Sequence, residues 1–214
     1  KTTVREMIAR ILEYGGPTLS SKGNFNNHIG LPLTLLKLRE FHRYSVLEMG
    51  MNHPREISYL TRIAKPTISV ITNAATAHLE GVGSVTGVAR AKAEIFLGMQ
   101  PSSVAVINAD DRFAAYWLAR ARRYKTLTFG LDNQADVRGE TEWRDDRMHL
   151  EIRLPEEICE VRLELLGKHN ARNALAAATV AWSMGLGADQ IRAGLEQVRP
   201  INARLQPRLG KNNS

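Results

Sequence analysis

Val70-Ile71-Thr72-Asn73-Ala74-Ala75-Thr76-Ala77-His78-Leu79-Glu80 leads into a second stretch, Ser84 to Met99, that contains Ala91-Lys92-Ala93-Glu94-Ile95-Phe96. The first closes an apolar run from Thr67 to Thr72, the length of a buried strand. In the second, Val85, Val88, Ala89, Ile95, Phe96 and Met99 recur at helical spacing. An apolar strand followed by an amphipathic helix is the repeating unit of a parallel sheet covered on both faces. Lys92 falls inside the helix's apolar stripe, seven residues after Val85 and four from both Val88 and Phe96, whereas Arg90 and Glu94 point elsewhere. Burying a bare ammonium is costly, so such a lysine must be paired, neutralised or chemically modified. It marks a candidate site just after the strand-end His78.

The same alternation extends outward. Val4, Met7, Ile8, Ile11 and Leu12 define a first amphipathic helix ending near Gly15-Gly16, and Leu31 to Leu38 a second, short one. Tyr44 to Met49 reads as a buried strand, His53 to Ala64 as a helix, Val104 to Ile107 as a strand, Arg112 to Arg122 as a helix and Thr126 to Phe129 as a strand. The periodicity then changes. Val137–Trp143, Met148–Leu154 and Cys159–Leu165 are strand-like segments without intervening helices, which predicts an antiparallel meander forming a small satellite sheet over about residues 136–165. Helices return at Asn170–Met184, rich in alanine, and at Ala188–Gln197. The fold class is α/β, a mostly parallel sheet flanked by helices.

A chain of 214 residues, 43% hydrophobic, can bury a substantial core. No apolar run reaches the ~18–20 residues that span a bilayer, and no basic-then-apolar secretory signal opens the chain. The single cysteine, Cys159, excludes an internal disulfide framework and fits a reducing, cytoplasmic setting. A start at Lys1 and a finish in Gly210-Lys211-Asn212-Asn213-Ser214 read as a piece cut from a longer protein. The net charge of +7 favours anionic partners without choosing among them. Arg120, Arg122, Arg123 and Lys125 form the densest basic cluster. With no aromatic platform beside it, it reads as a solvated helix end rather than a nucleic-acid patch.

In open parallel sheets, ligands bind beyond the carboxyl ends of the strands. Glu48 closes one apolar strand, where an acid is expensive unless it holds a cation such as magnesium or is hydrogen-bonded. Asn73 and His78 follow the next strand, and Asn108-Ala109-Asp110-Asp111 a third, where either aspartate could simply cap a helix. Lys1-Thr2-Thr3 precedes the first helix as the end of a phosphate-cradling loop would, its glycines lying before residue 1. Gly23-Asn24-Phe25-Asn26-Asn27-His28-Ile29-Gly30-Leu31-Pro32 is dense in side-chain amides; it could face a polar ligand or be a turn with an Asn cap. Asn170 and Asn173 lie one turn apart at the start of the alanine-rich helix, placed to cap it or to meet a base.

Together these segments resemble the Mur ligase family: Lys1-Thr2-Thr3, GNFNNHIGLPLTLL at 23–36, LEMG at 47–50, TNAATAHLEGVGS at 72–84, the AKAEIF segment, NADD at 108–111 and GKHNARNALAA at 167–177. The resemblance implies a P-loop-type central ATP-binding domain over residues 1–205, with 206–214 starting a linker to a C-terminal domain. An N-terminal domain for the uridine nucleotide would precede it. It also implies ATP-dependent joining of D-alanyl-D-alanine to UDP-N-acetylmuramoyl-tripeptide through an acyl phosphate, a step of peptidoglycan precursor synthesis. Lys1 would steady the ATP phosphates. Thr2 and Glu48 would hold one magnesium ion, and His78 with a carbamylated Lys92 a second. Asn170 and Asn173 match the adenine region, Asn24 and Asn27 the muramyl-peptide side, and Arg204 an arginine that reaches the phosphates. The family usually has glycine before that arginine, whereas this chain has Ala203. Other expectations for the same residues are a different Mur ligase or folylpolyglutamate synthetase and, in a separate class, a P-loop nucleic-acid-binding ATPase.

Overall fold

In this computed structural model, which describes residues 1–75, 79–144 and 147–199, the first helix, α1 (Thr2–Glu13), buries Val4, Met7, Ile8, Ile11 and Leu12 on one face. Strand β1 (Thr18–Ser20) follows, a short element with no signal in the sequence pattern, then α2 (Gly30–Leu35) and β2 (Tyr44–Val46). Next come α3 (Glu56–Ala64), β3 (Ile68–Ile71), α4 (Leu79–Val82), α5 (Val85–Ala93) with a 3-10 turn at Glu94–Gly98, and β4 (Val104–Asn108). The remaining elements are α6 (Ala114–Ala121), β5 (Lys125–Gly130), β6 (Val137–Arg144), β7 (Arg147–Arg153), β8 (Ile158–Leu163), α7 (Lys168–Ser183) and α8 (Ala188–Glu196). Several ends are tighter than the pattern suggests. The second helix stops at Leu35, and the strand expected over Tyr44–Met49 keeps regular pairing only to Val46.

Two sheets result: β1 and β2 pair in parallel, and a six-stranded sheet runs in the order β3-β4-β5-β6-β7-β8. Strands β3 to β6 are parallel, while β6, β7 and β8 form the expected antiparallel meander. The meander is not a satellite, however. Phe129 and Gly130 of β5 register with Val137 and Arg138 of β6, so the meander continues the main sheet. Unmet backbone groups on β5 are paired most directly by the next strand.

The largest core joins α1, α7, α8 and the inner faces of β4 to β8. Helix α7 reaches it through side chains small enough for close approach: Ala171, Ala174, Ala176, Ala177, Ala178 and Ala181 are fully buried. On the other face, α5 and α6 pack around Trp117, whose indole N–H donates to the Ala89 carbonyl at 3.0 Å. This bond meets the polar demand of a buried tryptophan. Cys159 is buried in the first core and donates to the Ala188 carbonyl, and burial pushes its thiol up to about 11. Its part is structural.

Candidate active site

The carboxyl ends of β2 and β3 place the site. Leu47 and Glu48 continue β2, and the Glu48 amide donates to Ser21 Oγ at 3.0 Å. The Asn-rich loop folds back onto this strand end: Asn26 Nδ2 donates to Glu48 Oε1 at 2.9 Å, and the Gly50 amide donates to the Asn26 carbonyl at 2.7 Å. Glu48 is only 7% exposed, and its Oε2 is buried with no hydrogen-bond partner among the described residues. An orphaned carboxylate oxygen at a strand end is the donor a hard cation requires.

Lys92 lies in the last turn of α5, a helix started by Ser84, whose hydroxyl accepts the Gly87 amide at 3.0 Å. The side chain is half-buried, and its ammonium donates to the Asn73 carbonyl at the end of β3. Burial and then the charge of Lys1 push it down to about 8, against a weaker pull upward from Asp111. Glu94 does face away: it accepts the Arg55 and Ser58 amides at 2.8 and 3.1 Å, steadying the start of α3. Lys1, Glu48, Asn73 and Lys92 all line one cavity of about 500 Å³. Lys1 stands at the N-terminus of α1, where no side chain among the described residues caps the helix and no acid occupies the first turn, and Thr2 and Thr3 are half-buried behind it. Uncapped amides at a helix start suit an anion such as phosphate.

The other candidates lie apart from that cavity. Asn27 Oδ1 accepts the Ile29 and Gly30 amides at 3.1 and 2.8 Å and so starts α2, leaving its Nδ2 over, while Asn24 is exposed. Asn170 is buried, with Nδ2 donating to the Leu166 carbonyl at 2.8 Å and Oδ1 accepting from Asn173 at 3.2 Å. His78 and Arg204 lie outside the described residues. Among the described residues, no three His, Cys, Asp or Glu side chains gather as a metal site, and Glu48 is the one acidic residue lining the cavity.

Two partners were missed in the sequence. Asn26 was one amide among several, and nothing local singles out the one that meets Glu48. Arg172, inside the GKHNARN segment, donates to Asp110 at 3.0 Å and pairs with Asp132. Asp110 also accepts the Leu131, Asp132 and Asn133 amides. Burial works to raise the Asp110 carboxyl, but these bonds outweigh it and hold the group below its ordinary value. Asp111 acts as a cap, accepting the Phe113 amide at 2.9 Å and also the Ala74 amide at 2.8 Å.

An α/β sheet brings a helix start, a strand-end carboxylate and a half-buried lysine to one end, and the Mur ligase middle domain matches residues 1–181. The chain belongs to the Mur ligase family. It is 41% identical over 212 residues to the UDP-N-acetylmuramoyl-tripeptide–D-alanyl-D-alanine ligase of Haemophilus influenzae, a match covering 97% of this chain and 46% of that protein. MurF from Acinetobacter baumannii superposes with a TM-score of 0.91 at 37% identity, covering 96% of this chain and 45% of that one. The MurF ligase from Thermotoga maritima, solved in complex with ADP, gives 0.81 at 25% identity, covering 94% and 46%. This chain thus spans about half the length of the relatives it matches.

Proposed function

We propose that this chain is the middle, ATP-handling part of a cytoplasmic ligase that joins D-alanyl-D-alanine to UDP-N-acetylmuramoyl-tripeptide in peptidoglycan precursor synthesis. The observation that carries the reading is the buried, unpartnered Glu48 Oε2 in the same cavity as Lys1, Asn73 and Lys92. The similarity to ligases of that name supports the choice of substrates. Residues 1–205 form the middle domain, and 206–214 begin the link to a C-terminal domain.

In the reaction, the terminal carboxylate of the tripeptide takes the γ-phosphoryl group of ATP. The amine of D-alanyl-D-alanine then displaces phosphate and forms the amide. Lys1 and the first amides of α1, at Thr2 and Thr3, hold the phosphates. Glu48 and Thr2 would hold one magnesium ion, and His78 with carbamylated Lys92 a second. The ions supply positive charge that screens ATP from the carboxylate approaching it. Carbamylation requires a neutral amine that adds carbon dioxide and loses a proton, and the depressed Lys92 provides that amine near neutral pH. Asn170 and Asn173 stand by the adenine, Arg204 by the phosphates, and Asn24 and Asn27 by the muramyl peptide.

Ligation assays on the full-length protein test this reading, with D-alanyl-D-alanine, glutamate or a diamino acid as acceptor. Amide formation with D-alanyl-D-alanine is expected. Activity with glutamate alone would transfer the chain to a different branch of the family.

A further inference from the structure

Asn26 bonds to Glu48, yet no step of the reaction above calls on it. Its Nδ2 donates to Glu48 Oε1 at 2.9 Å, and Oε2 of the same carboxylate is buried without a partner among the described residues. An ionised carboxylate only accepts, so the Asn26 amide turns its nitrogen to Glu48 and its oxygen away. That oxygen lies over Gly50, where an added Cβ would stand 2.8 Å from Asn26 Oδ1. The Asn26 backbone is held too: its amide donates to the Asn24 carbonyl and its carbonyl accepts the Gly50 amide, both at 2.7 Å. The donor is thus fixed by the loop on one side and by the exit of β2 on the other.

The terminal torsion of a glutamate is broad and roughly two-fold, so an untethered carboxylate offers a ligand either oxygen, or both. The Asn26 bond sets the plane of this one, occupies Oε1 and leaves Oε2 over. A charged donor at Oε1 would offset the negative charge that a cation needs, whereas a neutral amide occupies the oxygen and leaves that charge in place.

Glu48 is also the one acidic residue lining the cavity. A cation there meets a single protein carboxylate, and its other positions fall to hydroxyl, phosphate and water oxygens. Selectivity then depends on how many oxygens that carboxylate gives. Magnesium is small and demands near-octahedral geometry, which one carboxylate oxygen respects; calcium is larger, takes more ligands and readily accepts both oxygens.

We propose that Asn26 is a positioning residue that makes the cation site selective for magnesium over calcium, by holding Glu48 to one ligating oxygen. The inference rests on the magnesium role given to Glu48 above.

Binding of a non-hydrolysable ATP analogue to the full-length protein, followed by calorimetry while magnesium or calcium is titrated, tests this without turnover. Wild type is expected to reach half-saturation at less magnesium than calcium. In Asn26→Ala the half-saturating magnesium concentration should rise about tenfold or more, and that of calcium less than about threefold. Asn26→Leu, similar in shape but without the donor, should shift the two cations in the same way. A structural role alone would weaken both cations equally. An equal rise for both, or no change for either, therefore overturns the proposal, as does a wild type that prefers calcium or takes the two alike. Should Asn26→Ala not fold, Asn26→Leu and the wild-type preference decide. Wild-type nucleotide binding indifferent to both cations would remove the magnesium role of Glu48, and this proposal with it. An unchanged preference in variants that still need a cation removes this proposal alone, and ligation of D-alanyl-D-alanine is scored separately.

Discussion

Lys92 and Glu48 each keep an ionisable group where the surroundings are poor in water, and each therefore has a measurable consequence. The Lys92 ammonium is disfavoured in the folded chain, where it loses its proton at about 8 against an ordinary 10.5. Between those values the unfolded chain binds more protons, so stability rises with pH through that window, and below it the full cost persists. In buffer free of carbon dioxide, Lys92→Met is expected to stabilise the fold at pH 7 by about 1–3 kcal/mol, and by little above pH 10.5, in denaturant titrations at each pH. The same variant should lose ligase activity in the full-length protein. Full activity of Lys92→Met would refute a carbamate at this position. For Glu48, glutamine preserves the acceptor that Asn26 uses but removes the charge. Glu48→Gln should leave the thermal midpoint nearly unchanged while lowering kcat/KM by about a hundredfold or more, an electrostatic loss of about 3 kcal/mol. Of this site, the Glu48 and Lys92 positions could be read from single residues out of keeping with their element. Asn26 could not, because a loop with several amides has no periodicity that aims one of them.

At the scale of elements, Asp110 ties the end of β4 to the turn after β5 and to the start of α7. Its side chain is 5% exposed and serves three backbone amides and Arg172. Asp110→Ala removes the acceptor of three backbone amides and one of the two carboxylates that Arg172 pairs with, and the expected destabilisation is about 1–3 kcal/mol, read from urea unfolding. The folded carboxyl lies below its ordinary 3.8, so its contribution is complete above that pH and is lost as the pH falls through the folded value. Acid unfolding of the wild type should thus show a step near or below pH 4 that Asp110→Asn diminishes. The other element-scale dependence is close helix packing. Gly194 of α8 meets α1 so closely that an added Cβ would stand 2.5 Å from Ile11 Cα. Gly194→Ala is expected to force α8 away from α1 and cost about 1–3 kcal/mol, seen as a lowered melting temperature. An isolated glycine in a helical pattern looks like a weak spot in sequence; only the neighbour across the interface explains it.

For the molecule as a whole, the site lies in the cavity bordered by the ends of β2 and β3 and the start of α1. Nucleotide and magnesium binding to the full-length protein should raise its melting temperature by mass action, by about 2.7 kcal/mol of stability at a hundred times Kd. A chelator should remove that gain, and a nucleotide effect indifferent to chelation would count against the magnesium role of Glu48. What the sequence by itself determined was local: strand and helix periods, the α/β class, the antiparallel meander, and the motif positions at strand ends. These follow because amphipathic spacing and capping are written within about a dozen residues. Tertiary structure alone decided that the meander extends the main sheet, that the ends of β2 and β3 bring Glu48 and Asn73 to one cavity, and that Glu48 keeps one oxygen unpartnered among the described residues. Strand order, edge pairing and orphaned polar atoms depend on groups far apart in the chain, and no local period records which of them will meet.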